Sequence, residues 1–341
     1  MNKEGLNVAV VGATGMVGEA MLDILGERDF PVARLHPLAS QRSLGKTVGF
    51  KGRQVPCEVL DEHDFSATDI ALFSAGGDVS AEFAPRAAAA GCVVIDNTSH
   101  FRLEDDVPLV VPEVNKSAIA GYKARNIIAN PNCSTIQMVV ALKPIYDAAG
   151  IERINVATYQ AVSGAGRSAV EALATQTAQL LNGRPLELAA DQKQIAFNAL
   201  PHIDTFQDNG YTREEMKMVW ETNKIFADDS IRVNPTTVRI PAFVGHSEAV
   251  HIETRETISV EQARTLLHNA EGVEVLDEAR LGGYPTAVTE ASGADAVFVG
   301  RIRQDISHPR GINLWIVADN VRKGAALNSV QIAEILVREY L

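Results

Sequence analysis

An apolar segment that runs into three regularly spaced glycines constrains the fold of this chain more than any other feature. Leu6–Val11 is a short apolar run typical of a buried strand, and Gly12, Gly15 and Gly18 follow it with the spacing GxxGxxG. Helical spacing then continues as far as Leu25. Where a strand, a glycine loop and a helix follow one another, backbone N–H groups at the helix start can hold a pyrophosphate. The pattern therefore predicts a dinucleotide-binding loop, with close packing of the strand against the helix as the alternative explanation of the glycines.

Strands and helices alternate through the first part of the chain. Short apolar runs predict strands at residues 34–38, 69–73, 92–95 and 126–129. Helical spacing predicts helices at 79–90 and 134–149. Alternation of this kind produces a parallel sheet that is covered on both faces. We therefore predict an α/β protein whose residues 1–132 form a Rossmann-type, doubly wound nucleotide-binding domain.

The pattern changes after Gly150. Longer, alternating strands are predicted at 154–162, 250–254, 296–301 and 312–318, with a helix at 166–181. Such strands indicate a mixed or antiparallel sheet with one covered face, so residues 133–319 are predicted to form an α+β domain with a mixed sheet. An amphipathic helix at 325–341 closes the chain, and periodicity alone does not assign it to either domain.

Composition excludes several classes of protein. The 341 residues carry a formal net charge of −12, which argues against a protein that wraps nucleic acid or lies on an anionic membrane, but not against small anionic ligands. No apolar run reaches about 18 residues, and the N-terminal residues lack the pattern of a signal peptide, so a cytosolic protein is expected. The three cysteines are too few and too scattered for a disulfide framework or a CxxC zinc site, and we predict no metal centre.

The end of the second predicted strand indicates which nicotinamide cofactor the loop would hold. An NAD-specific site usually places Asp or Glu there, to accept a hydrogen bond from the ribose 2′-hydroxyl. This chain has Ser40, Arg42 and Ser43 instead, and no acidic residue. A planar cation with neighbouring hydroxyls suits a 2′-phosphate, so NADP is predicted rather than NAD. The alternative is that Arg42 is an ordinary solvated side chain.

One of the three cysteines stands where a helix is predicted to begin. Cys133 follows the strand that ends at residue 129, and the positive end of a helix lowers the pKa of a thiol and favours its nucleophilic form. Cys92 lies inside an apolar strand and is predicted to be a core residue, whereas Cys57 has no assigned use. His246, which follows a glycine, is the candidate partner base, although a histidine with a purely structural role is the commoner case.

A series of motifs between residues 12 and 326 resembles one known family. In chain order they are GATGMVG, ASQRS, LFSAGG, DNTSHFR, VPEVN, NPNCSTIQM, TYQAVSGAG, EEMKM, RIPAFVGHSE and ADNVRKGAA. With these motifs the chain resembles the bacterial aspartate-β-semialdehyde dehydrogenases over nearly its whole length. Related reductases that act through an acyl-enzyme carry other neighbours beside the cysteine than the Asn132 and Ser134 found here.

The resemblance implies an activity. The family reduces L-aspartyl-4-phosphate to L-aspartate 4-semialdehyde and phosphate with NADPH, in the biosynthesis of lysine through diaminopimelate, threonine, methionine and isoleucine. It also implies a homodimer that acts on a small molecule, which agrees with the cytosolic location and the lack of nucleic-acid or membrane partners expected from composition. The second domain would then be the catalytic and dimerisation domain, and the helix at 320–341 would join the NADP-binding domain.

The resemblance further implies a role for each site residue. Cys133 would attack the acyl phosphate and form a thioester, His246 would take the thiol proton and later return one, and Gln160 would orient the reacting group. The residues implied to bind substrate are Arg102, Glu214, Lys217 and Arg239. The residues implied to bind the cofactor are Gly12, Thr14, Gly15, Met16, Val17, Ser40, Arg42, Ser43, Ser74, Gly76, Ser163, Gly164 and Asn320.

Alternatives remain at this point. Glu214 and Lys217 have the i, i+3 spacing of an ordinary surface ion pair on a helix, and the adjacent Glu215 could replace Glu214 as the substrate contact. Gln160 could be a strand residue that faces solvent. The whole chain could be a different phosphorylating dehydrogenase, or a nucleotide-binding regulatory protein without catalytic activity.

Overall fold

The computed structural model describes residues 5–341, and these divide into two compact units. Residues 5–132 together with Ala325–Leu341 form the first unit, and Cys133–Gly324 form the second. Among the described residues, no helix has both the length and the apolar character needed to cross a bilayer.

The helices and strands are as follows. The helices are α1 (Met16–Glu27), α2 (Gly77–Ala89), α3 (Pro112–Asn115), α4 (Cys133–Ala149), α5 (Arg167–Leu181), α6 (Arg213–Phe226), α7 (Val260–His268) and α8 (Leu327–Glu339). The strands are β1 (Leu6–Val11), β2 (Val32–Ala39), β3 (Thr47–Phe50), β4 (Arg53–Pro56), β5 (Glu58–Val59), β6 (Ile70–Phe73), β7 (Val93–Asp96), β8 (Ile127–Ala129), β9 (Ile151–Gln160), β10 (Arg232–Arg239), β11 (His246–Thr254), β12 (Val273–Val275), β13 (Val297–Gln304) and β14 (Gly311–Ala318).

The first unit is built on a parallel sheet with the strand order β5-β2-β1-β6-β7-β8. Apart from the hairpin β3–β4, which pairs separately, this is the order of a doubly wound dinucleotide-binding sheet. Every residue of β6 and β7 is buried, which explains why all of them except Asp96 are apolar. Helix α8 packs against α1 and adds Val330, Ile332 and Leu336 to the core of this unit.

The second unit contains a mixed sheet with the order β10-β9-β11-β14-β13-β12. The β10–β9 and β12–β13 pairs are parallel, and the central pairs are antiparallel. Helix α4 packs against β9, β11, β13 and β14. The predicted fold class, a Rossmann-type domain followed by an α+β domain with a mixed sheet, is therefore confirmed. Pro235 lies in β10 at the edge of this sheet, where a missing N–H is tolerated.

Candidate active site

The glycine loop between β1 and α1 serves both packing and ligand access. Gly12 has a φ of +86°, and a Cβ on Gly18 would lie 2.2 Å from the carbonyl oxygen of Gly12, so close packing alone requires glycine there. Gly15 is the N-cap of α1, and it supplies no side-chain hydrogen bond to the first turn. The beginning of α1, with the partly buried Thr14, Met16 and Val17, can therefore present backbone donors to a phosphate.

The segment after β2 keeps the predicted cation accessible. Ser40 caps a 3-10 turn at Gln41–Ser43, and Ser40 and Arg42 are exposed while Ser43 is buried. At the neighbouring strand ends, the Ser74 hydroxyl donates to the Val11 carbonyl oxygen at 3.3 Å. These residues lie at the carboxyl ends of β1, β2 and β6, where doubly wound sheets bind their ligands.

Gly76 provides space at the same sheet edge. It has a φ of +103° and precedes α2, and a Cβ placed on it would meet no heavy atom within 4 Å. This open position leaves space for a ligand at the carboxyl ends of the strands. Arg102 also belongs to the first unit; it is buried, and its Nη2 donates to the Asn97 carbonyl oxygen at 2.8 Å.

In the second unit, the nucleophile candidate is the first residue of α4. Cys133 is partly buried, and a Cβ on Gly324 would lie 2.8 Å from the Cys133 Cβ. The backbone at Gly324 therefore packs directly against the cysteine and leaves no room for a side chain. The other two cysteines are buried, burial raises the pKa of both thiols, and Cys92 is confirmed as a core residue.

The backbone of Ala161 brings His246 and Arg239 together. Its N–H donates to His246 Nδ1 at 3.1 Å, and its carbonyl oxygen accepts from Arg239 Nη1 at 2.7 Å. A Cβ on Gly164 would meet Arg239 Nη1 at 3.1 Å and His246 Nε2 at 3.4 Å, so Gly164 lies against both side chains. No sequence signal identifies Ala161, because it acts through its backbone.

The hydrogen bond from Ala161 determines the tautomer of His246. Since Nδ1 accepts this hydrogen bond, a neutral imidazole must carry its proton on Nε2. His246 is fully buried, and its Nε2 has no hydrogen-bond partner within the described chain. Burial, and then the charge of Arg239, lower the pKa of His246 to about 3. The resting histidine is therefore a neutral donor, which differs from the expectation that it first accepts the thiol proton.

Arg239 and Cys133 interact electrostatically. Burial lowers the pKa of Arg239, while Cys133 and Glu214 act in the opposite direction. Attraction of this kind is mutual, so the guanidinium also favours the thiolate of Cys133 over the thiol. The start of α4 acts in the same direction.

A chain of hydrogen bonds joins Gln160 to Glu214 and Lys217, two of the residues implied to bind substrate. Gln160 is buried rather than facing solvent, and its Nε2 donates to Glu214 Oε1 at 3.1 Å. The Lys217 ammonium donates to Glu214 Oε2 at 3.0 Å and to Asp204 Oδ2 at 2.7 Å. Burial opposes the charge of Lys217, but Glu214 and Asp204 outweigh this effect and raise its pKa. These residues form a partly enclosed charge network instead of a solvated ion pair.

Asp204 is a member of this network that the sequence analysis missed. It has a φ of +69°, in the left-handed region that residues other than glycine seldom adopt. Burial alone would raise the pKa of Asp204. The hydrogen bond from Lys217 acts in the opposite direction and helps to lower this pKa overall. Neither the conformation nor the partner could be inferred from the local sequence, since Lys217 lies 13 residues away along the chain.

The neighbouring residues Glu214 and Glu215 make different contacts in the structure. Glu215 completes a capping box, because its Oε2 accepts from the Thr212 N–H at 2.7 Å and its Oε1 accepts from the Thr237 N–H at 3.0 Å. Glu215 therefore stabilises the start of α6 and ties it to β10. Glu214, the neighbouring residue, is the carboxylate that contacts Gln160 and Lys217.

The remaining implied cofactor residues of this unit also lie together. Ser163 Oγ donates to Asn320 Oδ1 at 3.1 Å, and the same oxygen accepts from the Gly245 N–H at 2.9 Å. Asn320 therefore connects the 3-10 turn at Val162–Ala165 to the residue just before His246. Gly245 has a φ of +88°, and a Cβ there would lie 2.7 Å from the Ala287 carbonyl oxygen.

Two family models match this chain. The model described as semialdehyde dehydrogenase, NAD binding domain, matches residues 7–122, and the model described as semialdehyde dehydrogenase, dimerisation domain, matches residues 142–323. A protein of Legionella pneumophila described as aspartate-semialdehyde dehydrogenase is 65% identical over 336 residues, which cover 98% of this chain and 97% of that protein.

Solved structures show the same similarity. Aspartate semialdehyde dehydrogenase II of Vibrio cholerae, complexed with ASA, has a TM-score of 0.97 at 62% identity and covers 99% of this chain and 100% of its own. An aspartate semialdehyde dehydrogenase of Candida albicans, solved with NADP, has a TM-score of 0.75 at 25% identity, with 98% of each chain covered.

Proposed function

This chain belongs to the aspartate-semialdehyde dehydrogenase family of oxidoreductases, and we propose that it reduces L-aspartyl-4-phosphate to L-aspartate 4-semialdehyde and phosphate with NADPH. The observation that carries the proposal is the meeting of Arg239, His246 and Gly164 around the Ala161 backbone, with Cys133 in electrostatic contact with Arg239. This arrangement supplies a nucleophile, a hydrogen-bond donor and an anion-binding group. Its relatives and the family models support the same reaction.

Cys133 is the proposed nucleophile. Its thiolate sulfur forms a bond to the acyl carbon of the substrate, the bond from that carbon to the phosphate oxygen breaks, and phosphate leaves with the electron pair. The product on the enzyme is a thioester. NADPH, when bound, supplies the hydride that reduces this thioester. Covalent catalysis of this kind divides one difficult displacement into two easier steps.

His246 is the proposed hydrogen-bond donor to the reacting oxygen. Its Nε2–H can donate to the acyl oxygen, where negative charge develops in each step, as a neutral imidazole of low pKa does in other enzymes. After hydride addition, the tetrahedral oxyanion accepts the Nε2–H hydrogen bond and collapses to the aldehyde: the carbon–oxygen double bond re-forms, the carbon–sulfur bond breaks, and its electron pair leaves on sulfur as the Cys133 thiolate. Gln160 orients the reacting group.

The charged residues are assigned to the three ionic groups of the substrate. Arg239 has the fork geometry that a carboxylate requires and is the proposed ligand of the α-carboxylate. Glu214 is proposed to receive the ammonium, and Lys217 and Arg102 to bind the phosphate.

The cofactor assignment divides between the two units. In the first unit, the loop at residues 12–17, with Ser74 and Gly76, would hold the pyrophosphate, and Ser40, Arg42 and Ser43 would bind the 2′-phosphate. In the second unit, Ser163, Gly164 and Asn320 would contact the nicotinamide. The exposed Arg42 and the absence of an acidic residue from the sequence at 40–43 support NADP over NAD.

The wider context is also a proposal. A homodimer is supported by the dimerisation-domain model that matches most of the second unit. The place of the reaction in lysine, threonine, methionine and isoleucine biosynthesis follows from the resemblance and stays a prediction. A cytoplasmic location, which was expected from the sequence pattern, also stays a prediction.

The proposed function is tested by following reduction of NADP at 340 nm in the reverse direction. Purified protein is mixed with aspartate semialdehyde, phosphate and NADP, and NAD and glyceraldehyde 3-phosphate serve as control substrates. The expected result is NADPH formation that requires both phosphate and aspartate semialdehyde. Equal or faster reaction with glyceraldehyde 3-phosphate would contradict the substrate assignment.

Cys133→Ser tests the nucleophile in the same assay. A hydroxyl at this position is a far weaker nucleophile than a thiolate, so turnover should fall by at least about 10³-fold. Cys57→Ser is the matched control, because Cys57 is buried in the first unit and has no proposed catalytic role. Activity that survives Cys133→Ser unaltered would mean that no thioester forms on this residue, whereas absence of activity in the parent protein would indicate a non-catalytic relative.

A further inference from the structure

We propose that His36, Glu58 and His63 form a binding site in the first unit for a d-block divalent cation of the zinc type. This set, here called the His–Glu–His cluster, takes no part in the proposed reaction. It also departs from the sequence expectation of no metal centre, because that expectation considered only cysteine spacing. Each of the three residues offers one ligand atom, and these atoms all lie within 4.8 Å of one another.

The geometry of the cluster is close to that of a metal site. Both oxygens of Glu58 lie 3.0 Å from His36 Nδ1, and Glu58 Oε2 lies 3.3 Å from His63 Nδ1. Ligand atoms around tetrahedral zinc are separated by roughly 3.4 Å, given metal–nitrogen bonds of about 2.0–2.1 Å. Two of the three ligand pairs therefore already have nearly the required separation.

The elements that carry the cluster hold it in place. His36 lies on β2 and Glu58 on β5, and these strands pair in parallel at the edge of the sheet. The ring centroids of His36 and His63 are 4.8 Å apart, and His63 packs edge-on against Phe65 at 4.8 Å. Ring orientations fixed by packing lower the entropy that binding a metal would cost.

The His63 ring already has a hydrogen-bond partner on the side that faces away from the cluster. His63 Nε2 lies 3.0 Å from the hydroxyl oxygen of Thr68, a buried residue. Histidines that bind metals usually donate their other ring N–H to such an acceptor, which leaves Nδ1 with its lone pair for the metal.

The ligand set selects the class of cation. Two imidazoles and one carboxylate suit zinc or cobalt, whereas magnesium and calcium prefer sites made entirely of oxygen atoms. The Glu58 side chain is 39% exposed, while the His36 and His63 side chains are 9% and 6% exposed. The cation can therefore enter from the Glu58 side, where water can complete the coordination.

Without a metal, the same contacts form a hydrogen-bonded triad in which each imidazole donates an Nδ1–H to Glu58. The two possibilities are distinguished by titrating the chelator-treated full-length protein with Co²⁺ and recording its visible absorption. Zn²⁺ is then used as competitor, and Mg²⁺ as a cation that should not compete. All proteins carry Cys133→Ser, so that the reactive thiol does not bind the metal.

We expect one equivalent of Co²⁺ to bind with the intense visible bands of a tetrahedral site and to be displaced by Zn²⁺. His63→Ala and Glu58→Gln should each weaken binding at least ten-fold, and Glu58→Gln preserves the side-chain shape if His63→Ala proves unstable. His268→Ala, which removes an exposed histidine of α7 in the other unit, should bind like the parent protein. Absence of the bands, or equal binding by the cluster variants and the His268→Ala control, would overturn the proposal.

Discussion

Replacing His246 by glutamine should make the free energy of unfolding less sensitive to acid than it is in the parent protein. His246 is fully buried, and burial followed by the charge of Arg239 lowers its pKa to about 3. In the unfolded chain an imidazole titrates near 6.5, so the unfolded state binds a proton that the folded state excludes. Acid therefore favours unfolding through this residue, and glutamine, which does not titrate, removes the effect.

The size of the effect follows from the two pKa values. The stability associated with neutral His246 is fully present above pH 6.5 and is lost progressively as the pH falls towards about 3. Each pH unit below 6.5 costs about 1.4 kcal/mol. Between pH 7 and pH 5, the parent protein should therefore lose about 2 kcal/mol that the His246→Gln variant retains.

Urea unfolding at pH 5, 6 and 7 measures this difference. Phosphate-free buffers avoid stabilisation by a bound product, and the quantity compared is the free energy of unfolding of the parent minus that of the variant. A constant loss of packing in His246→Gln cancels, since only the change with pH is used. His268→Gln, at an exposed position in α7, is the matched control and should leave the pH dependence as in the parent.

A difference between parent and His246→Gln that stays constant from pH 7 to pH 5 would refute the reasoning. It would mean that His246 is not held neutral in the folded protein, and the assignment of its Nε2 as a neutral donor would fail with it. If the assignment holds, the same variant should also lower kcat by roughly 10²-fold or more, as loss of a positioned donor does in other enzymes.

Three further substitutions test other parts of the site. Asp204→Asn should lower the KM for phosphate by about two- to five-fold, because Lys217 loses a partly exposed ion-pair partner worth up to about 1 kcal/mol; Asp208→Asn is its control, and an unchanged KM would contradict the role of Asp204. Gly324→Ala should destabilise the protein by about 1–3 kcal/mol in urea unfolding and reduce kcat, because its Cβ would overlap Cys133. Arg42→Ala should raise the KM for NADP by about ten-fold or more while that for NAD changes little, as expected when a charged hydrogen bond is lost; equal losses would show that Arg42 does not contact the 2′-phosphate.

Much of the architecture could be predicted because the determining patterns are local. The strand Leu6–Val11 was predicted with the observed bounds, and the helix predicted to begin at residue 134 begins at Cys133. A strand that is buried on both faces is apolar throughout, and a helix that is buried on one face repeats its apolar residues with a period of about 3.6. Both patterns can therefore be recognised without knowledge of the tertiary structure. Helix α6 is not predicted from the sequence. It is strongly polar, and its buried residues include Glu214, Glu215 and Glu221, so it lacks a clear apolar stripe.

The sequence by itself determined the order of the elements, the cysteine at a helix start and, through resemblance, the family. Only the tertiary structure decided which carboxylate reaches Lys217, which nitrogen of His246 carries the proton, and that Asp204 joins the network. The physical reason is that each of these depends on a partner far away in the chain. The parallel pairing of β9 with β10 sets Gln160 beside Arg239, and the Ala161 backbone that follows then meets both Arg239 and His246. Such contacts follow from strand register and side-chain direction, which no local pattern of residues records.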